Sequence, residues 1–233
     1  MQKKIDTFVR VFMEEGGYRE VLIGLKNTML IAVLGLLIGI VIGTLIAAVR
    51  VMPKYKRLPR VLDKVCQFYV GFFRGTPMVA QLLLFWYVLL PLIGVNISAL
   101  WASVAVFGLN SGAYISEIMR GGILSVDPGQ TEGGRSVGLS YSATMRMIVI
   151  PQAVKNILPT MGNEFITLIK ETSVVSFIGA TDLYKTFNDI GSNTYEFMVP
   201  YLVMALIYIV IVSLISLGLK IMERRLARSD RNH

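Results

Sequence analysis

Thr160, Glu164, Thr167 and Glu171 follow one another at steps of four, three and four, the spacing that stacks side chains on one face of a helix. Two carboxylates and two hydroxyls thus look the same way from a stretch otherwise apolar enough to enter a membrane. An ionised carboxylate at mid-bilayer costs about 2.5–3.5 kcal/mol on insertion scales, so the stripe is expected to face the protein interior or a water-filled cavity. A cavity lined by acceptors suits the ammonium group of an amino acid, and a cationic side chain better. Glu164, Thr167 and Glu171 are the candidate lining of such a path, with Gln81, four residues beyond Pro77, as a further candidate. The alternative is structural: a salt bridge to Lys170 or Arg74 plus hydrogen bonds between helices. On an ideal helix Lys170 lies about 120° from Glu164 and about 100° from Glu171, so it does not screen both carboxylates from one face. Arg74 is either a structural residue or a ligand for a substrate carboxylate.

Other chemistries find no residues. One Cys (Cys66) and one His (His233) exclude a disulfide framework, a zinc site and a His-based triad. No GxxxxGK[ST] loop is present, so nucleotide chemistry would have to come from another chain.

The elements that carry these residues are membrane spans. Of 233 residues, 54% are apolar and 16% charged, and the apolar ones gather into uncharged runs at 29–49, 75–116 and 197–219, each long enough to cross about 30 Å of hydrocarbon. The first twenty residues hold four basic and four acidic side chains and no apolar core, so span 1 is expected to act as its own insertion signal. Gly35, Gly39 and Gly43 lie on one face of that span, which allows close approach of a second helix within the chain or from another subunit. The next run is broken by Phe73-Arg74-Gly75-Thr76-Pro77, where a kink is expected. Five spans result, at about 21–49, 61–90, 97–119, 153–178 and 197–222, in a single domain covering 1–233.

Orientation follows from Lys and Arg. Segments 50–64, 120–155 and 220–233 hold 15 of the 23 basic residues, which places the C-terminus in the cytoplasm and the N-terminus outside. The net charge of +8 therefore marks a membrane face, not a nucleic-acid footprint.

Between spans 3 and 4 lies a polar segment, 128–150. Asp127 as N-cap, Pro128 at the first helical position and Gln130 at N3 open a short helix. Gly138 ends it in the left-handed conformation, Ser140 caps a second stretch, and Pro151 is expected to stop that one. Two short helices on the cytoplasmic side are most simply a docking surface.

Glu132-Gly-Gly-Arg-Ser-Val-Gly138, followed after nine residues by Ile148-Val149-Ile150-Pro151, resembles the E-A-A-x-x-x-G-x9-I-x-L-P motif of permease subunits of ATP-binding-cassette importers. Gly133 and Gly134 replace the two alanines and Ile150 the leucine; each glycine weakens a helix by up to about 1 kcal/mol. Phe72-Phe-Arg-Gly-Thr-Pro77, Glu117-Ile-Met-Arg-Gly-Gly-Ile123 and Gly162-Asn-Glu-Phe165 resemble the polar amino-acid branch, which includes histidine, glutamine and arginine permeases. The resemblance implies an all-α membrane protein with the type I ABC importer permease fold. It implies a homodimer or heterodimer of permeases, two separate ATPase subunits that bind the ATP and Mg²⁺, and an extracellular amino-acid-binding protein. No cofactor and no enzymatic activity are expected in this chain. Glu132, Gly133, Gly134, Arg135, Gly138 and Leu139 then form the coupling helix that contacts the ATPase. The competing reading is an ion-coupled secondary transporter with Glu164 and Glu171 as a proton relay, though no internal repeat accompanies it. An intramembrane enzyme finds no catalytic constellation, and a structural scaffold leaves the intramembrane charges unexplained.

Overall fold

The computed structural model describes residues 2–52, 55 and 57–230, the last four of these by backbone alone. Lys54, Lys56 and Arg231 of the predicted basic segments lie outside the described residues, as does the Arg228 side chain. Among the described residues every regular element is a helix. The chain runs α1 (Gln2–Val9), α2 (Gly17–Val51), α3 (Arg57–Gly75), α4 (Met78–Leu84), α5 (Ala99–Leu124), α6 (Pro128–Ser136), α7 (Tyr141–Thr144), α8 (Ile150–Glu171), α9 (Leu183–Thr194) and α10 (Met198–Asp230). A π turn, Arg10–Glu14, extends α1; another, Phe85–Leu89, carries α4 on to Leu90–Leu92; a third, Met145–Val149, joins α7 to α8.

The glycine face of α2 packs on α5 inside this chain. A Cβ on Gly39 would stand 2.7 Å from Ser111 Cβ and 3.1 Å from the Gly112 nitrogen, and Gly35 and Gly43 lie as tightly against Phe107 and Ile115. The fit is reciprocal, because Ile38 and Ile42 sit over Gly108 and Gly112. Phe107 and Ile115 are wholly buried in this seam, which joins a core built with Ile31, Leu82, Leu168, Ile169 and Val175. Without a hydrophobic drive between helices in lipid, such small-residue seams gain their stability from dispersion at short range.

α2, α5 and the Met198–Leu226 stretch of α10 are long and apolar enough to cross a membrane, and α3 with the α4 run forms a fourth candidate bent by 109°. None of the apolar window of α10 is buried within the chain. α8 has span length but carries Lys155, Glu164, Lys170 and Glu171, so composition does not mark it as a span. Its continuation is not α-helical to 178: Thr172–Ile178 tightens to a 3-10 helix, ended by Gly179 at φ +81°.

Pro77 produces more than a kink. It is extended (φ −64°, ψ 142°) and separates two helices outright, consistent with the bias of proline against a helical residue before it. Pro151, by contrast, does not stop its helix. The π turn before it bonds Ile150 N–H to Met145 O, and this wider turn accommodates the ring and missing N–H of Pro151 at the start of α8.

Two elements, α1 and α9, escaped the sequence reading. α9 is opened by Asp182, which accepts from the backbone of Tyr184 and Lys185 at 3.1 and 2.9 Å, and it buries Leu183, Phe187 and Ile190 against Phe8 of α1 and Val21 of α2. Asp182 is fully enclosed, and burial pushes its carboxyl up to about 6 despite those bonds. Asn27 and Thr28 of α2 clamp this corner, donating to Thr181 O at 2.8 Å and accepting from Leu183 N–H at 3.1 Å.

Candidate functional site

On α8 the hydroxyls of Thr160 and Thr167 donate to the carbonyls four residues back, a habit of hydroxyl side chains in helices. Thr160 is exposed and Glu164, Thr167 and Glu171 are half-buried. The two carboxylates lie within electrostatic range of each other, and Glu164 faces Ser111 of α5. Ser111 is wholly buried, and its hydroxyl is directed at the Glu164 carboxylate. Among the described residues neither carboxylate has an ion pair. Lys170, exposed on the neighbouring face, acts on Glu171 only at longer range. Arg74 is engaged elsewhere: Nη1 is 3.8 Å from Glu117 and the guanidinium stacks over Tyr114 at 5.4 Å. Ser111 was not singled out by sequence; the signal was the run of small residues Gly108-Leu-Asn-Ser-Gly-Ala113 in an otherwise bulky span.

Gln81 is not on this face. It is 5% exposed, and its amide donates to Phe73 O at 2.8 Å, Thr76 O at 3.0 Å and Thr76 Oγ1 at 2.9 Å. Its oxygen accepts from buried Asn110 at 2.9 Å. Gln81 thus supplies donors to carbonyls that the Pro77 break leaves without intrahelical partners, and both ends of its amide are committed.

The polar segment folds by its caps. Asp127 accepts from Gly129 N–H at 2.8 Å and Ser140 from Ala143 N–H at 3.2 Å. Gln130 does not reach back to complete a capping box; it accepts from Gln152 at 3.2 Å. The end of α6 is a Schellman turn, with Leu139 N–H bonded to Gly134 O and Gly138 N–H to Arg135 O; Gly138 adopts φ +89°. Gly134 is buried where a Cβ would lie 2.7 Å from Thr144 Cγ2, which accounts for glycine in place of alanine there. Gly133 has open space around it. Glu132, Gly133, Arg135 and Gly138 are exposed and Leu139 is half-buried, so the outer face of α6 offers two charges beside Val137, a bare valine 79% exposed. The Tyr141 hydroxyl donates to Val51 O at 3.1 Å, fixing this unit to the end of α2.

Residues 35–228 match the model of the binding-protein-dependent transport system inner membrane component family. The chain belongs to that family. It is therefore an inner-membrane component of a transport system, with multiple apolar helices. Its relatives include the arginine transport system permease protein ArtQ of Bacillus subtilis, 37% identical over 90% of this chain and 94% of that one. The putative glutamine permease GlnP of Rickettsia bellii is also 37% identical, over 87% and 91%. The L-cystine permease TcyB of Bacillus subtilis matches at 37% over 88% and 86%. A crystal structure of an amino acid ABC transporter with histidines superposes with a TM-score of 0.82 at 40% identity, covering 89% of this chain and 94% of that one. The MetNI methionine ABC transporter shares the fold, with a TM-score of 0.77 at 18% identity over 92% and 99%. This permease fold is all-helical.

Proposed function

We propose that this chain is the membrane-spanning permease subunit of an ATP-driven importer that moves a polar amino acid across the cytoplasmic membrane by alternating access. The fine topology belongs to the same proposal: five spans, with α8 as the fourth, the N-terminus outside, the C-terminus in the cytoplasm and α6 at the cytoplasmic surface. ATP and Mg²⁺ bind in separate ATPase subunits. A binding protein delivers the amino acid from outside, and a second permease, identical or not, completes the path.

The observation that carries the site is the pair of carboxylates on one face of α8, without an ion pair among the described residues and with Glu164 set against the buried hydroxyl of Ser111. Leaving them without a cation is costly unless the face meets water or a ligand. Glu164, Thr167, Glu171 and Ser111 line the path, and the amino acid's ammonium group is their complement. α6 is the coupling element. Its Schellman turn and buried Gly134 hold it rigidly on α7, and closure of the ATPases moves the spans only through a rigid contact of this kind.

Uptake of radiolabelled amino acids by the reconstituted complex tests both halves. Glu164→Gln and Glu171→Gln are expected to lower uptake or change its preference, and unaltered uptake and preference would remove both residues from the path. Gly138→Asp is expected to lose the co-purifying ATPase; unchanged binding and transport would sink the coupling role.

A further inference from the structure

α1 and the π turn that extends it carry two apolar rows side by side. Phe8 and Phe12 form the first, their rings stacked at 5.2 Å, and it packs inside the chain against Val21 and Leu25 of α2, Phe187 of α9 and Val199 of α10. Ile5, Val9 and Met13 form the second, at steps of four. That row is bare, its members 39, 45 and 62% exposed. Lys3, Asp6 and Arg10 are exposed on the far side, about 100–160° from Ile5 on an ideal helix. The arm thus has an apolar arc wider than the chain covers and charge on the remainder, the pattern of a helix lying in a membrane interface.

Its height on the bundle fits that position. The Phe8 row meets α2 between Glu20 and Lys26, just before the uncharged stretch from 27 to 49 begins. Lys4 pairs at 2.8 Å with Glu196, just before the apolar stretch of α10. Both spans therefore enter hydrocarbon at the level of the arm, and Met198 and Leu202 of α10 are exposed there too. Tyrosines gather at the same end, as aromatic side chains do at membrane–water boundaries: Tyr184 stacks on Tyr201 at 6.4 Å, and Tyr18 lies under the Arg19 guanidinium.

We propose that α1 is an interfacial anchor, with Ile5, Val9 and Met13 embedded in the phospholipid boundary between headgroups and acyl chains and Lys3, Asp6 and Arg10 turned to water. The boundary is recognised by its apolar side and not by charge, because Lys3, Lys4 and Arg10 are balanced by Asp6, Glu14 and Glu15. Anchored in this way, the arm fixes the depth at which α2, α9 and α10 meet. The assignment to the outer leaflet rests on the topology proposed above; the embedding does not.

The test uses the purified permease–ATPase complex in phosphatidylcholine nanodiscs, with Cys66→Ser, no other cysteine in the complex and one bimane-labelled cysteine. Label at Val9→Cys or Met13→Cys is expected to be quenched by phosphatidylcholine brominated near the top of its acyl chains and screened from iodide in the water. Label at Lys3→Cys or Asp6→Cys is expected to show the reverse. Bromine at the chain ends is expected to quench Val9→Cys less, since an interfacial helix lies only about 5–10 Å deep. Iodide reaching Val9→Cys as readily as Lys3→Cys would overturn the proposal, as would strongest quenching by the deepest bromines or a pattern that requires phosphatidylglycerol. So would protection of Val9→Cys from both quenchers, the mark of a protein cover such as the second permease. Labelling of Lys3→Cys by an impermeant thiol reagent in sealed right-side-out vesicles reads the leaflet separately, so an inverted topology and a failed anchor give different results.

Discussion

Replacing Gly39 with alanine tests whether the α2–α5 seam is set by backbone approach. The added carbon would stand 2.6 Å from Ser111 Oγ and 2.7 Å from Ser111 Cβ, about 0.7 Å inside ordinary contact, with the Gly112 nitrogen at 3.1 Å behind them. Ser111 has no room to turn away, because it is wholly buried; the helices must part. A gap of that size forfeits about a quarter of each contact of about 0.15 kcal/mol. The knobs Ile38, Ile42, Phe107 and Ile115, with roughly 20 cross-helix contacts each, then lose about 3 kcal/mol together. Alanine returns about 1 kcal/mol of helix propensity. The net cost is about 2 kcal/mol, or about 4–8 °C in unfolding midpoint for a chain of this size. Gly121→Ala on α5 is the internal control, since its added carbon meets nothing within 4 Å, and it is expected to be neutral or stabilising. Unfolding followed by the fluorescence of Trp86 and Trp101 in detergent reads both. A Gly39→Ala midpoint equal to or above that of the parent would refute the seam as the source of this stability.

Two further outcomes follow from enclosed polar groups. Gln81→Leu deprives Phe73 O and Thr76 O of their donors and is expected to cost about 2–4 kcal/mol; altered uptake at unchanged stability would instead put Gln81 in the path. Asp182, pushed up to about 6 from its usual 3.8, holds its proton more tightly folded than unfolded. Its contribution is present at acid pH and lost as pH rises through about 6, up to about 3 kcal/mol in all. Asp182→Asn keeps the cap and should flatten that decline in midpoints recorded from pH about 4 to about 8; an unchanged slope would refute it.

The elements most legible in the sequence were those specified locally. Asp127, Ser140 and Gly138 act through bonds within their own turns, and the apolar runs of α2, α5 and α10 mark themselves by composition. The stripe on α8 was legible because its period belongs to the helix that carries it. The partners of Gln81 were not legible for the opposite reason: Phe73 O and Asn110 are set by a break whose 109° angle depends on how α4 packs. Ser111 gains its significance only from Glu164 across a helix pair. α9 carried an N-cap and the pattern Leu183, Phe187, Ile190, but its apolar face is completed by α1 and α10, far away in sequence.

The π turn at Met145–Val149 also sets an angle between two working surfaces. It holds one residue more than an α turn, so the helix beyond it is out of phase with the helix before it by about 100°. The azimuth at which α7 meets α6 and the azimuth at which α8 presents Glu164 are therefore separate settings on one continuous rod. Deleting a single residue within Met145–Val149 would bring the two into step, turning the carboxylates away from Ser111 while leaving every cap in place.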